Sequence, residues 1–252
     1  MGRNKSFFDT YPDEYDILTN ATERAKMHRK EVRAIIEKFK PKAVLDAGCA
    51  TGLTSRLFAA ESISATGIDR SKAILEVARS NDWLNNNMLS FRHAHFEDLP
   101  KAMRERFDLV VCLANSISGV GTVANLRRSL RNFLAVLTPG GHLVLQMLNY
   151  TAIREGEVMP IKATKHGTLV YERFSERRGR KLYLYITRLD YGAKPPAFEI
   201  FKHEIDNFSP EQMSDSMKLA GFTGIKRYAD LFLSRRFGKS SRDLVITGRK
   251  PA

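Results

Sequence analysis

A chain of 252 residues, 43% of them hydrophobic, is long enough for one large domain and too apolar to stay disordered. Its 41 basic residues outnumber 28 acidic ones, for a formal charge of +13; outside 177-RRGRK-181 and 235-RRFGKSSR-242 the excess is scattered, and few aromatics stand near those clusters, so nucleic acid is a possible partner but not the favoured one. No apolar run reaches the roughly 18 residues of a membrane span, the N-terminus carries no apolar targeting stretch, and Cys49 and Cys112 lack metal-ligand spacing, which reads as two reduced thiols in a cytoplasmic protein that holds no metal.

In chain order, helical spacing runs over 22–39 and a short buried strand over 43–48. A helix over 53–61, a strand over 64–69 and a helix over 71–80 follow, the last with Ser71 as N-cap. Strands are expected at 89–96, 107–114 and 141–149, with a helix over 121–137 that the turn 138-TPGG-141 stops. Such strand–helix alternation means a parallel sheet covered on both faces. After residue 150 the pattern becomes apolar–polar alternation at 167–176, 182–191 and 197–208, as in half-exposed antiparallel strands. A helix capped by Ser209-Pro210 and stopped by Gly221 comes next, then two closing strands near 224–230 and 242–250. The fold class expected is α/β: a Rossmann-like, seven-stranded, mostly parallel sheet with an antiparallel β insertion toward the C-terminus.

The stretch 44-VLDAGCATGLTS-55 is a strand ending in a glycine turn. Gly48 and Gly52 lack a Cβ, so backbone N–H groups there can approach a ligand. The turn is not the G-x-G-x-x-G of dinucleotide sites, and no Gly-Lys-Ser/Thr follows. Asp46 before it would repel a pyrophosphate but suit an amino group. Asp69 ends the second strand, where a carboxylate can accept both hydroxyls of a ribose. Asp98, in 96-FEDLP-100, is placed to accept an adenine amine. A ribose, an adenine and an ammonium together describe S-adenosylmethionine. Blander readings exist: the glycines could serve strand–helix packing, Asp69 could cap the next helix, Asp98 could cap 99–105, and Cys49 is a small buried residue rather than a nucleophile.

These residues resemble the class I S-adenosylmethionine-dependent methyltransferases. The resemblance rests on 44-VLDAGCATG-52, 67-GIDRS-71, 96-FEDLP-100, 107-FDLVVCLANS-116 and 137-LTPGGHLVLQ-146, in the family's order and spacing. Ala50 departs from it, standing where the family usually has glycine. Beyond Asp46, Gly48, Gly52, Asp69 and Asp98, the resemblance assigns Cys49, Ala50, Arg70, Glu97 and Leu113 to the cofactor's surroundings and Arg24 to its carboxylate. Tyr11 or Tyr15 would close over the sulfonium. It implies an N-terminal helical cap over 1–40, a cofactor-binding core over 41–150, an insertion over 151–208 that covers the site, and a closing segment over 209–252.

For the acceptor, 112-CLANSISGV-120 and 147-MLNYTAI-153 are similar to the glycine N-methyltransferase-like branch. By position, Asn115 would contact the acceptor and Tyr150 would line its pocket. Leu148 stands where glycine-methylating members keep an arginine for the substrate carboxylate, which argues against glycine itself. A small-molecule amine is therefore the leading expectation, and a basic-surface RNA or protein methyltransferase the alternative. An amine must lose its proton before transfer; His95, His142, His166 and His203 are the base candidates.

Overall fold

The computed structural model describes residues 6–82, 87–99, 103–104, 106–179 and 181–252. A seven-stranded sheet forms its centre, built from β1 (Ala43–Ala47), β2 (Ser64–Asp69), β3 (Leu89–His93), β4 (Phe107–Cys112), β5 (Leu137–Leu148), β10 (Thr223–Tyr228) and β11 (Asp243–Arg249). Its order is β10-β11-β5-β4-β1-β2-β3. The pairs among β1 to β5 are parallel, and β11 runs antiparallel to both neighbours. The strand order reverses between β1 and β4, and in open sheets that reversal opens a crevice at the strands' carboxyl ends.

Alternate residues of each central strand feed opposite faces. Val44, Ala65, Leu109, Val111 and Val144 pack with α3 (Ala21–Phe39) and α4 (Leu53–Ala60). Leu45, Ile68, Val110, Leu143 and Leu145 pack with α6 (Val123–Val136) and α7 (Pro210–Ala220). Burial on both faces is why these strands read as continuous apolar runs. Helix α5 (Lys72–Ser80) starts at Ser71, whose Oγ accepts from Ile74 N–H, as expected. In α7 the Ser209 cap is reciprocated by Gln212, and Gly221 closes it in the left-handed conformation.

Four differences from the sequence reading stand out. The insertion is a separate sheet of four strands rather than three, ordered β6 (Val158–His166), β7 (Leu169–Arg178), β8 (Lys181–Asp190) and β9 (Ala197–Ile205). Strand β6 is an edge with Pro160 and a bulge between Pro160 and Lys162, which erases its alternation. The turn 138-TPGG-141 lies inside β5, which starts at Leu137 and absorbs the glycines as an irregularity opposite Phe107–Leu109. Strands β3 and β4 stop at His93 and Cys112, short of the expected 96 and 114. Before α3, residues 7–19 form α1 (Phe7–Thr10), a 3-10 turn at Pro12–Glu14 and α2 (Tyr15–Thr19).

These N-terminal turns dock on the inserted sheet. Phe7 and Leu18 share an apolar cluster with Tyr171, Ile186 and Phe201. The Arg188 guanidinium makes a two-pronged ion pair with Glu14, at 2.7 and 2.8 Å, and stacks on the Tyr11 ring at 4.4 Å. The Tyr171 hydroxyl also donates to Glu14. Among the described residues no helix is long and apolar enough to cross a membrane.

Candidate active site

The parallel strands β1 and β2 deliver Asp46 and Asp69 to one sheet edge, and β4 and β5 deliver Asn115 and Tyr150 beside them. Asp46 is 2% exposed and accepts a hydrogen bond from Ser55 Oγ at 2.6 Å. Burial pushes its carboxyl up to about 6, Ser55 and the His28 charge pulling the other way and Asp69 adding to the rise. Asp69 is raised as well, by burial, although its oxygens accept from the backbone N–H groups of Ser71 (3.0 Å) and Ala50 (3.1 Å).

The glycine turn is shaped by these contacts. Ala50 sits at φ +48, the left-handed region that favours glycine, held there by the Asp69 bond. The N–H groups of Gly48 and Cys49 both donate to Ile68 O. A Cβ on Gly48 would stand 2.5 Å from Ser116 Oγ, and one on Gly52 would stand 2.5 Å from Phe91 Cζ. Close packing is thus part of why both are glycine; the expected donation of these two N–H groups to a ligand is replaced by an internal bond. Cys49 and Cys112 are free and buried, and burial raises both thiols, so neither is nucleophilic.

Residues 7–19 lie across this edge. Ser71 Oγ donates to Asp9 Oδ1 at 2.5 Å, and Thr51 Oγ1 donates to Asp16 Oδ1 at 2.6 Å. Tyr15 is half-buried beside the Phe8 ring, whereas Tyr11 is committed to the inserted sheet through Glu199 Oε2 at 2.5 Å. Both tyrosines pack against the cluster that joins this segment to the inserted sheet. Arg24, in the first turn of α3, has a buried Nε with no partner and forms no ion pair among the described residues.

On the β4–β5 side, Ala114 and Asn115 are consecutive non-glycine residues with positive φ, +52 and +69. Such strain persists only where neighbours over-determine it. Here Asn115 Oδ1 accepts from Leu148 N–H and Ser118 Oγ, both at 3.0 Å, and Asn115 Nδ2 donates to the Tyr150 hydroxyl at 2.8 Å. Tyr150 is 1% exposed, and burial pushes its phenol to about 12, so it can orient a ligand but not take its proton. Leu113 is buried next to this turn.

Other expected residues lie farther out. Asp98 is at the same sheet edge, in the 3-10 turn after β3, but it is exposed and paired with Arg128 Nη2 at 2.5 Å. That pair uses one of its two carboxylate oxygens; the helix it might have capped, 99–105, falls largely outside the described residues. Glu97 beside it is half-buried, and Arg70 is exposed with its carbonyl receiving the His93 ring. Of the histidines, His142 packs on Phe39, and His95 and His166 are exposed. His203 alternates inward with Phe201 and Ile205 on β9; its Nε2 is buried without a partner, and burial holds its pKa below the usual value.

The donor set fits a zwitterionic cofactor tail: among the described residues, a buried carboxylate in no ion pair, and a buried guanidinium nitrogen without an acceptor. A family described as a methyltransferase domain matches residues 44–141, the segment that carries this turn. The chain carries a class I, S-adenosylmethionine-dependent methyltransferase domain. The chain is 26% identical over 147 residues to glycine/sarcosine N-methyltransferase of Aphanothece halophytica, covering 58% of this chain and 56% of that one. It is 30% identical over 110 residues to ubiquinone biosynthesis O-methyltransferase of Coxiella burnetii, covering 44% and 45%. It thus spans about half the length of the curated relatives it matches.

Among solved structures, the CcbJ methyltransferase from Streptomyces caelestis superposes with a TM-score of 0.81 at 20% identity, over 100% of both chains. The S-adenosylmethionine-bound amino pentose methyltransferase CalS10 from Micromonospora echinaspora gives 0.69 at 21%, over 99% and 100%. At such identity these likenesses establish the fold, the inserted sheet included.

Sequence reasoning missed Asp9, Asp16, Ser116 and Arg173. Arg173 alone left a signal: an arginine in phase with the buried Tyr171 and Ser175 on an alternating strand.

Proposed function

We propose that the methyltransferase transfers a methyl group to the amine nitrogen of a small molecule. The observation that carries this is the Asn115–Tyr150 pair, held after the carboxyl ends of β4 and β5 beside the glycine turn. Bound cofactor supplies an electrophilic sulfonium methyl. Asp46 and Asp69 hold its amino and ribose groups, Arg24 its carboxylate, and Tyr15 covers it. Tyr150, fixed by Asn115, orients the acceptor, and the inserted sheet with residues 7–19 excludes water.

Little else is asked of side chains, because positioning alone reaches effective molarities of about 10⁵ M or more. His203, half-buried beside Phe8 and held below its usual pKa by burial, is the proposed base for an ammonium acceptor. The N-methyltransferase among the relatives supports an amine, and the O-methyltransferase among them makes a hydroxyl the competing acceptor. Two free thiols support the expected cytoplasmic setting.

Labelled cofactor incubated with a panel of small amines, phenols, RNA and protein tests the proposal. Label in an amine supports it; label confined to phenols, RNA or protein rejects it. The alternative use of the basic surface rests on the +13 charge and requires salt-sensitive RNA binding.

A further inference from the structure

One face of β7 carries Tyr171, Arg173, Ser175 and Arg177 in alternation, and it is the face turned into the molecule: Tyr171 and Ser175 are 1% and 0% exposed. Ser175 lies beside the Tyr150 phenol. Arg173, two residues along, is therefore about 7 Å further on the same face. It is partly buried, its Nε is enclosed without a partner, and among the described residues it forms no ion pair.

A second cation borders it. The Arg242 carbonyl accepts from Asn149 N–H at 2.8 Å, which places that residue next to Tyr150. Its Nη2 donates to Ile161 O at 3.1 Å, and Ile161 is the bulged residue of β6 just before Lys162, which pairs with Arg173. Arg24 contributes a third positive charge to the same surroundings, with Tyr15 close by. The nearest acid along the chain, Asp243, is engaged by Gln146 Nε2 at 2.5 Å. Three guanidinium groups thus share one region, and the Asp243 carboxylate beside Arg242 offsets only part of their charge. Like charges in a partly dry site repel, and an enclosed N–H without an acceptor is unfavourable; an anion relieves both.

We propose that Arg173 and Arg242 form a seat for a carboxylate on the methyl acceptor, so that the substrate class is a carboxylate-bearing amine. This rests on the reading of Tyr150 as the acceptor's neighbour. Arg24 serves the cofactor's own carboxylate, which leaves the other two for a second anion. Arg242, exposed at the rim, draws the anion in, and Arg173 binds it through the planar fork that matches a carboxylate. Leu148 supplies no charge here, so the clamp is provided by the inserted sheet instead.

The test uses the full chain, S-adenosylhomocysteine as the cofactor probe and acetate against acetamide as the acceptor-side probes. Calorimetry reads the first, and saturation-transfer NMR reads the others. Acetate is expected to bind the S-adenosylhomocysteine-loaded protein at least tenfold more tightly than acetamide. Arg173→Gln and Arg242→Gln should each weaken acetate at least tenfold while holding S-adenosylhomocysteine affinity within twofold. Arg173→Lys should retain most of the acetate binding, and Arg178→Gln should change neither ligand; circular dichroism melts identify any variant that fails to fold.

Equal binding of acetate and acetamide, or acetate affinity unchanged in Arg173→Gln, overturns the seat. Loss of S-adenosylhomocysteine instead of acetate also overturns it, by assigning Arg173 to the cofactor. If S-adenosylhomocysteine does not bind the wild-type chain, the methyl-transfer reading fails, and acetate on the unliganded protein still decides the seat.

Discussion

Replacing Asp46 by asparagine should stabilise the cofactor-free protein while weakening its hold on cofactor. The asparagine Oδ1 can still accept from Ser55 Oγ, so the change removes mainly the charge. A carboxyl pushed from its ordinary 3.8 to about 6 by burial binds its proton more tightly when folded than when unfolded. Its contribution to stability is thus fully present below pH 3.8 and is lost as pH rises through 6. At about 1.4 kcal/mol per pH unit, the loss at pH 7 amounts to about 3 kcal/mol. In a chain of this size that corresponds to about 6–12 °C in melting temperature.

Chemical denaturation of both proteins from pH 4 to pH 8 measures it. The two curves should nearly coincide near pH 4, diverge between pH 4 and 6 with Asp46→Asn the more stable, and run parallel above. A difference that does not change over that range, or a variant less stable at pH 7, would refute the reasoning. With cofactor present the order should narrow, since an ammonium beside Asp46 restores the ionised form.

Asp69→Ala removes the acceptor for both the Ala50 and Ser71 N–H groups and the proposed ribose contact; calorimetry with S-adenosylhomocysteine should show a loss of about 1–3 kcal/mol, ten- to a hundredfold in affinity. Arg188→Met leaves Glu14 without its fork in a setting where Arg188 is 8% exposed, and should cost about 3 kcal/mol and speed amide exchange over residues 7–19. Glu14 is lowered by Arg188 and Tyr171 against the opposing effect of burial, so this clasp is present above pH 4.5 and lost on acidification. Asn115→Ala should release the Tyr150 hydroxyl and lower kcat by about tenfold or more, with S-adenosylhomocysteine affinity within twofold, as steady-state kinetics and calorimetry can separate.

The Rossmann half was legible because its signals are local. Val44–Asp46 and Leu109–Val111 are buried on both faces, and Ser71, Ser209 and Gly221 cap helices through bonds to near neighbours. Asp46, Asp69, Asn115 and Tyr150 could be placed for the same reason: each follows directly from a strand whose end is marked by composition. Residues 7–19 were harder. Their turns are too short for periodicity, and what holds them, such as Glu14 with Arg188 or Asp16 with Thr51, spans 174 or 35 residues of chain. Asp98 shows what such local signals leave out. Its position after β3 suited an adenine, yet Arg128 on α6 reaches it across 30 residues, a pairing no local pattern announces.

Residues 7–19 are attached on two sides. On one side they are fastened to the inserted sheet by a buried guanidinium fork and an aromatic cluster; on the other, hydrogen bonds from Thr51, Ser71 and Asn81 tie them to the glycine turn and the two ends of α5. The weaker side is the one that parts first. Removing such a contact, as in Thr51→Val, should therefore speed amide exchange over residues 7–19 while the Arg188 fork stays closed.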